Sequence, residues 1–393
     1  MKAKFWTKIA LCCAGYGMVS NSIVTPAITA IQASFQGMAS SMTKFILSGP
    51  NLISIPAALL TAILTRYISK RKLLILSLGV FCIGGIGGAV AWNPFSMAVT
   101  RALDGASDGI NTVVACALIA EVFKDDEKTQ SQVYGWMNGL TSVLGIITSF
   151  VAGVLATINW RFGFLLNCFG LISLVLAVLF VPETPVESIG VSNRTEGRSE
   201  LKKYIFRLIV NLLVFAVLVM VFEQLVFLVD IIVSELELGT SVLSGAYSSL
   251  ICIAMSLSYI VFGTIYMKVK YLMPIFMLML SGIGMVIMSY SSNVVAFGIL
   301  IAVVAFAAMT SVAYYPAIIA RIVPLSQVSF WMSIYTVIMY SVSYLSVYLP
   351  NIFMNMFGTA TISGTFLYSG GLLIAVGILH IIFNNQIKPM TQT

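Results

Sequence analysis

Charge is what this chain has least of: Asp, Glu, Lys and Arg make up only 9% of its 393 residues, against 59% that are apolar. Soluble domains run near 45–50% apolar and about 25% charged, so a water-soluble globule is excluded and lipid must be the solvent for most of the surface. Histidine is nearly missing, with His380 the single example, and no histidine lies close enough in sequence to complete a metal-ligand set. The six cysteines (Cys12, Cys13, Cys82, Cys116, Cys168 and Cys252) fall inside apolar segments without ligand spacing. They are expected to be buried free thiols, with no disulfide, no metal and no cofactor. Neither an HExxH run nor a Walker A sequence occurs and no nucleophile elbow is expected, which points away from an intramembrane enzyme and from an ATP-driven pump.

What is present is a succession of long apolar runs. They fall at 9–31, 45–66, 73–92, 95–121, 131–156, 162–181, 205–233, 241–266, 271–290, 294–320, 326–349 and 361–384. Each is long enough to cross a hydrocarbon core of about 30 Å, which takes roughly 20 helical residues. The first run has no small-x-small cleavage site and continues to Pro26, so it is expected to stay as an uncleaved first helix. Twelve crossings put both termini on one side of a plasma membrane. The net charge of +7 would suggest a nucleic-acid partner in a soluble protein, but here the basic residues sit in short breaks between apolar runs. All of them except Lys44, Arg161 and the intrahelical Arg101 fall on the side of the termini. The positive-inside rule makes that side cytoplasmic.

The longest break, PETPVESIGVSNRTEGRSELKK at 182–203, comes almost at mid-chain. It divides the chain into an N-terminal six-helix bundle at 1–181, a cytoplasmic central loop at 182–203 and a C-terminal bundle at 204–393. An internal echo supports a duplicated architecture: Gly85-Ile86-Gly87, preceded by Lys70-Arg71-Lys72, recurs as Gly282-Ile283-Gly284, preceded by Lys268 and Lys270. The expected fold is all-α, with twelve transmembrane helices in two pseudo-symmetric six-helix bundles. Repeats of this kind are a common construction in transporters.

Several stretches carry a family resemblance. Asn159-Trp160-Arg161-Phe162-Gly163 between helices 5 and 6, Pro182-Glu183-Thr184-Pro185 after helix 6, Arg101-x-x-x-Gly105 in helix 4 and the basic loop Arg66 to Lys72 resemble the major facilitator superfamily. The likeness covers essentially the whole chain. Arg101 and Gly105 are similar to the family's motif B, and Arg66, Lys70 and Arg71 stand in the loop where the family has motif A, a conformational latch. Motif A normally carries an aspartate and a glycine where this chain has Arg66 and Ser69. The antiporter motif GPxxGG aligns with Thr148-Ser149-Phe150-Val151-Ala152-Gly153, of which only Gly153 survives.

Ionisable residues at bilayer depth are costly and are functional candidates by default. Helix 4 holds Arg101, Asp104 and Asp108 at spacings of 3 and 4, which places all three on one helix face. One arginine can neutralise one carboxylate, leaving Asp108 as the expected exchangeable group and Arg101 with Asp104 as the structural pair. Helix 7 offers Glu223 and, nearer its outer end, Asp230. Asn21 and Thr25 beside Pro26 suit a cavity lining in helix 1, and Tyr340 and Tyr344, with Tyr348, could form an aromatic wall on helix 11.

These residues suit a proton-coupled secondary transporter exporting a small amphipathic or cationic compound by alternating access. The alternative is a metabolite importer or uniporter for a sugar or organic ion; a receptor is the competing reading from another class. The expected partners are a small-molecule substrate, protons and the lipid bilayer, with no nucleic acid, and the chain is expected to work as a monomer.

Overall fold

A computed structural model of the chain describes residues 2–35, 38–184, 205, 208–225, 241–291, 293–346, 348–358 and 363–384. They form helices and short connections, with no strand among the described residues. The central loop from residue 185 on, Asp230 and both chain ends lie outside the described residues.

Among the described residues eight helices are long and apolar enough to cross a membrane, and one of them, Glu127–Phe180, is a 54-residue run carrying two of the expected segments. Met273–Met288 and Phe366–Ile381 are shorter apolar helices. With the interrupted first segment these account for all twelve expected crossings of a multi-pass, all-α membrane protein. In chain order the helices are α1 (Lys2–Ala14), α2 (Ser40–Leu64), α3 (Lys70–Gly87), α4 (Pro94–Val122), α5 (Glu127–Phe164) and α6 (Gly170–Phe180). They continue with α7 (Leu208–Leu225), α8 (Ser241–Val269), α9 (Met273–Met288), α10 (Val294–Ile322), α11 (Val328–Ser346) and α12 (Phe366–Asn384).

The helices belong to two compact units, Met1–Asn193 with Val323–Ser341, and Arg194–Ile322 with Val342–Thr393. Within the first, α2 packs on α4, α3 on α4, and α3 on α6; within the second, α8 packs on α10, α9 on α10, and α9 on α12. The same partners thus recur six helices on. The echoed Gly-Ile-Gly runs sit at equivalent contacts. A Cβ on Gly85 would lie 2.5 Å from the Asn167 side chain ahead of α6, and one on Gly282 would lie 2.9 Å from the Gly370 carbonyl of α12. The glycines let α3 and α9 approach those partners closely, as small residues do between membrane helices.

The first segment is not the single helix expected from its hydropathy. After α1 it tightens into a 3-10 turn at Gly15–Met18, resumes at Ser20–Val24, tightens again at Thr25–Ala27 around Pro26 and ends in Ile28–Ser34. Pro26 cannot donate a hydrogen bond to the preceding turn. At the first break the cause is tertiary: a Cβ on Gly15 would stand 2.1 Å from Thr141 Oγ1 on α5, and one on Gly17 2.9 Å from Asn111 Nδ2 on α4. Asn111 in turn donates to the Ala14 carbonyl at 2.8 Å, satisfying a backbone group that the break releases. Irregular backbone at membrane depth is tolerated where protein satisfies it in this way.

Helices α5 and α6 join through the resembling run. Asn159 leaves helical geometry at φ −158° and ψ 118°, and its side chain accepts from the Arg161 N–H at 3.0 Å. Arg161 lies over the Trp160 ring at 4.3 Å and donates to the Ala91 carbonyl at 2.7 Å. Trp160 donates to Ser34 at 2.7 Å and packs with Phe35 and Phe164. This cluster ties one end of the first unit together.

The cysteine expectation needs one correction. Cys12, Cys82 and Cys116 are buried, Cys13 and Cys252 are partly covered, but Cys168 is exposed. It sits in a 3-10 turn, Leu165–Phe169, whose Leu165 and Phe169 are also exposed. In a bilayer such apolar faces meet hydrocarbon, so a thiol there needs no burial in protein.

Candidate functional site

The charged face of α4 is built from the helix start. Pro94 occupies the first turn, where a missing N–H costs nothing, and Asn93 and Ser96 form a reciprocal capping box. From there the helix runs unbroken through Arg101, Asp104 and Asp108. Arg101 is fully buried and donates to Asp104 Oδ2 at 2.6 Å. Its Nε donates to the Ile46 carbonyl of α2 at 3.0 Å. That carbonyl lies four residues before Pro50, which has no N–H to return to it. The guanidinium therefore neutralises one carboxylate and satisfies the backbone acceptor that a proline leaves in the neighbouring helix.

Gly105 and Gly109 make that approach possible. A Cβ at either would stand 2.4 Å from a backbone oxygen of α2, that of Pro50 or of Ser54. Ser54 completes the seam, donating within 2.9 Å to the Pro50 carbonyl and within 2.8 Å to that of Gly105.

Asp108 lies one turn beyond the locked pair. The Thr112 hydroxyl is 3.5 Å from its Oδ1, and 3.4 Å from the Tyr340 hydroxyl of α11. Tyr340 also reaches the Asp108 carboxyl. The structure thus brings Arg101, Asp104, Asp108 and Tyr340 together in the first unit. It adds Thr112, which follows Asp108 by four residues on the same face. Tyr344 is 44% exposed and pairs with Tyr348 at a ring separation of 6.2 Å.

In the second unit, Glu223 of α7 is partly covered. The Ser343 hydroxyl hydrogen-bonds its carboxyl, and Tyr259 of α8 lies nearby. Tyr259 in turn points its hydroxyl at Met309 Sδ at 3.3 Å. The adjoining Gln224 is buried and donates to Ser369 of α12 at 2.9 Å, so one side of α7 is pinned while the hydrogen bond to Glu223 comes from the Ser343 hydroxyl. Thr25 is exposed at the second break of the first segment; the side chain of Asn21 lies outside the described residues.

One motif reading requires correction. Gly105-Ala106-Ser107-Asp108-Gly109 has the G-x-S-x-G spacing of a nucleophile elbow, which was not expected in this chain. That motif needs a sharp strand-to-helix turn, whereas Ser107 is buried mid-helix and spends its hydroxyl on the Ser77 carbonyl of α3 at 2.9 Å. The glycines serve helix packing and the serine is no nucleophile.

At the other end of α4 the basic loop is tied down within the same unit. Lys70, nearly buried, pairs with Glu121 at 3.0 Å. Arg66 is exposed. Ser69 donates to Glu183 Oε1 at 2.6 Å, and Arg71 pairs with Glu183 Oε2 at 3.1 Å while also donating to the Val178 carbonyl. Glu183 belongs to the Pro-Glu-Thr-Pro run, so this run anchors the loop at the position where motif A departs from its usual residues.

The Ser69 hydroxyl and then the Arg71 guanidinium hold the Glu183 carboxyl below its ordinary range. A lowered folded-state value means that the latch contributes above the unfolded glutamate value of about 4.3 and that its contribution is lost as pH falls through the lowered value. Solvent screens the pair, so global stability should barely change. Locally, Glu183→Gln is expected to raise hydrogen exchange across residues 65–74 severalfold at pH 7, with the difference closing as pH falls through the lowered Glu183 value. Equal exchange in the two proteins at pH 7 would show that Glu183 does not hold the loop.

Comparison with known proteins gives the family and the fold. The family model of the Major Facilitator Superfamily matches residues 10–346. The chain is 28% identical over 123 residues to the uncharacterized MFS-type transporter EfpA of Mycobacterium tuberculosis, an alignment covering 30% of this chain and 23% of that protein. Among solved structures, the human organic anion transporter MFSD10 (TETRAN) superposes with a TM-score of 0.75 at 14% identity, covering 96% of this chain and 99% of that one. The proton:xylose symporter XylE bound to 6-bromo-6-deoxy-D-glucose gives 0.73 at 15% identity, over 97% and 95%. A single-residue variant of the E. coli fucose:proton symporter FucP gives 0.70 at 13%, over 96% and 98%. At such identities the likeness establishes the fold.

Proposed function

Because this chain belongs to the Major Facilitator Superfamily, we propose that it is a secondary active transporter that moves a small organic solute by alternating access. Transport is coupled to protons through Asp108, and the solute is an amphipathic or cationic compound carried outward across the plasma membrane, with both chain termini cytoplasmic. The observation that supports this reading is the division of labour on α4: Arg101 pairs directly with Asp104 at 2.6 Å, while the hydrogen bonds of the Asp108 carboxyl among the described residues come from the hydroxyls of Thr112 and Tyr340. A carboxyl held by hydroxyls can take and release a proton without breaking a buried ion pair. Glu223, placed beside Ser343 and Tyr259, supplies a second carboxyl with aromatic surroundings, which suits an organic cation.

The test is transport in proteoliposomes. An imposed pH gradient is expected to drive accumulation of a fluorescent lipophilic cation, and collapse of the gradient with a protonophore is expected to abolish it. Uptake of a neutral sugar in the same vesicles, with no response to the cation, would favour the importer reading. Equilibration indifferent to the gradient would make the protein a uniporter.

A further inference from the structure

A crevice of about 460 Å³ opens in the first unit, lined by two of its interruptions of regular helix. Tyr16 comes from the 3-10 turn Gly15–Met18, and Leu166 and Phe169 come from the turn Leu165–Phe169. Residues of α5, Ile147 and Val151 among them, form another wall.

Interruptions of this kind release backbone carbonyls, and three of those near the crevice are taken up by side chains. Ser173 donates to the Cys13 carbonyl at 2.7 Å, Asn111 to that of Ala14 at 2.8 Å and Tyr16 to that of Leu166 at 2.8 Å. The remaining hydroxyl on the wall, that of Thr148, bonds back to the Leu144 carbonyl at 2.8 Å. The hydroxyls of Tyr16, Thr148 and Ser173 on the wall are thus all bonded, and a cavity with an apolar lining stays dry. Left empty, it would forfeit the dispersion contacts of every atom that faces it.

The rim shows what lies outside. Ile147, Phe169 and Ile172 are 52%, 55% and 56% exposed, and in a membrane-spanning chain such faces meet acyl chains. The medium at the mouth therefore has the same chemistry as the lining.

We propose that this crevice is a lipid site that seats one acyl chain of a membrane phospholipid as a resident ligand, wedged against the break at Gly15. The site is separate from the charged face of α4 and stands whether or not Asp108 carries protons.

The test uses the full chain in phosphatidylcholine vesicles doped with phosphatidylcholine that bears a photoreactive diazirine on one acyl chain. Irradiation followed by residue-level mass spectrometry is expected to find severalfold more adduct at Ile147, Val151 and Phe169 than at Ile83, which is 68% exposed on α3 and samples the bulk lipid. Val151→Trp, which fills the crevice, is expected to bring the adducts at Ile147 and Phe169 down to the level at Ile83 and to leave Ile83 unchanged. Wild-type adducts at Ile147 and Phe169 no higher than at Ile83 would mean bulk lipid only and overturn the proposal. So would an excess that persists in folded Val151→Trp protein. Should that variant fail to fold, the wild-type ratio decides.

Discussion

Asp108→Asn is expected to fold and to lose transport driven by a pH gradient. The substitution keeps the size of the side chain and an oxygen for the Thr112 and Tyr340 hydroxyls, and it leaves Arg101 paired with Asp104. Its cost in stability should therefore stay within about 1 kcal/mol, the net worth of a typical hydrogen bond. What the amide cannot do is exchange a proton. Gradient-driven uptake should fall to that of protein-free vesicles, while binding of the cation measured by thermal shift persists. Glu223→Gln is the control in the other unit. If Asp108→Asn transports with wild-type pH dependence and Glu223→Gln does not, the coupling role moves to α7; if neither variant matters, protons are not coupled through these helices.

The second large effect is on stability. Arg101→Ala leaves the Asp104 carboxylate buried without its guanidinium, and removing one partner of a buried pair costs about 3–5 kcal/mol. It also takes the Nε donor from the Ile46 carbonyl. A large drop in melting temperature in detergent, together with loss of transport, is the expected result. Arg101→Lys should recover only part, because an ammonium can meet Asp104 but cannot also present a planar donor to α2. Adding Asp104→Asn to Arg101→Ala should restore part of the stability by removing the charge that Arg101 had neutralised, a coupling that a double-mutant cycle reads directly. Melting of Arg101→Ala within about 1 kcal/mol of wild type would show that Asp104 finds its partner elsewhere.

Much of this arrangement is legible in the chain itself, because membrane helices announce themselves by length and apolarity and because helical spacing is local. Arg101, Asp104 and Asp108 share a face by arithmetic, and the locked pair at spacing 3 follows from it. The Gly-Ile-Gly echo likewise marks matching contacts of α3 and α9. What escapes the sequence depends on distant partners. Tyr340 meets Thr112 across 228 positions, and no periodicity brings them together. The interruption at Gly15 arises because Thr141 and Asn111 crowd it from other helices; hydropathy sees an unbroken apolar run. Glu183 reads as the end of a helix and proves to anchor the basic loop. The G-x-S-x-G spacing shows the converse hazard, since glycines that seat α4 on α2 imitate a catalytic turn when only their order is read.

The straightness of α4 has a mechanical consequence. Asp108 and Glu121 stand on one uninterrupted helix, about 20 Å apart at 1.5 Å per residue, with Gly105 and Gly109 bedded on the backbone of α2 at the near end and Lys70 grasping Glu121 at the far one. Such a rod has no joint between its ends. If Asp108 takes up a proton as proposed, any axial shift of α4 that accompanies it would reach the basic loop as a displacement of Glu121, and a pull on the loop would be felt at the depth of Asp108 by the same leverage.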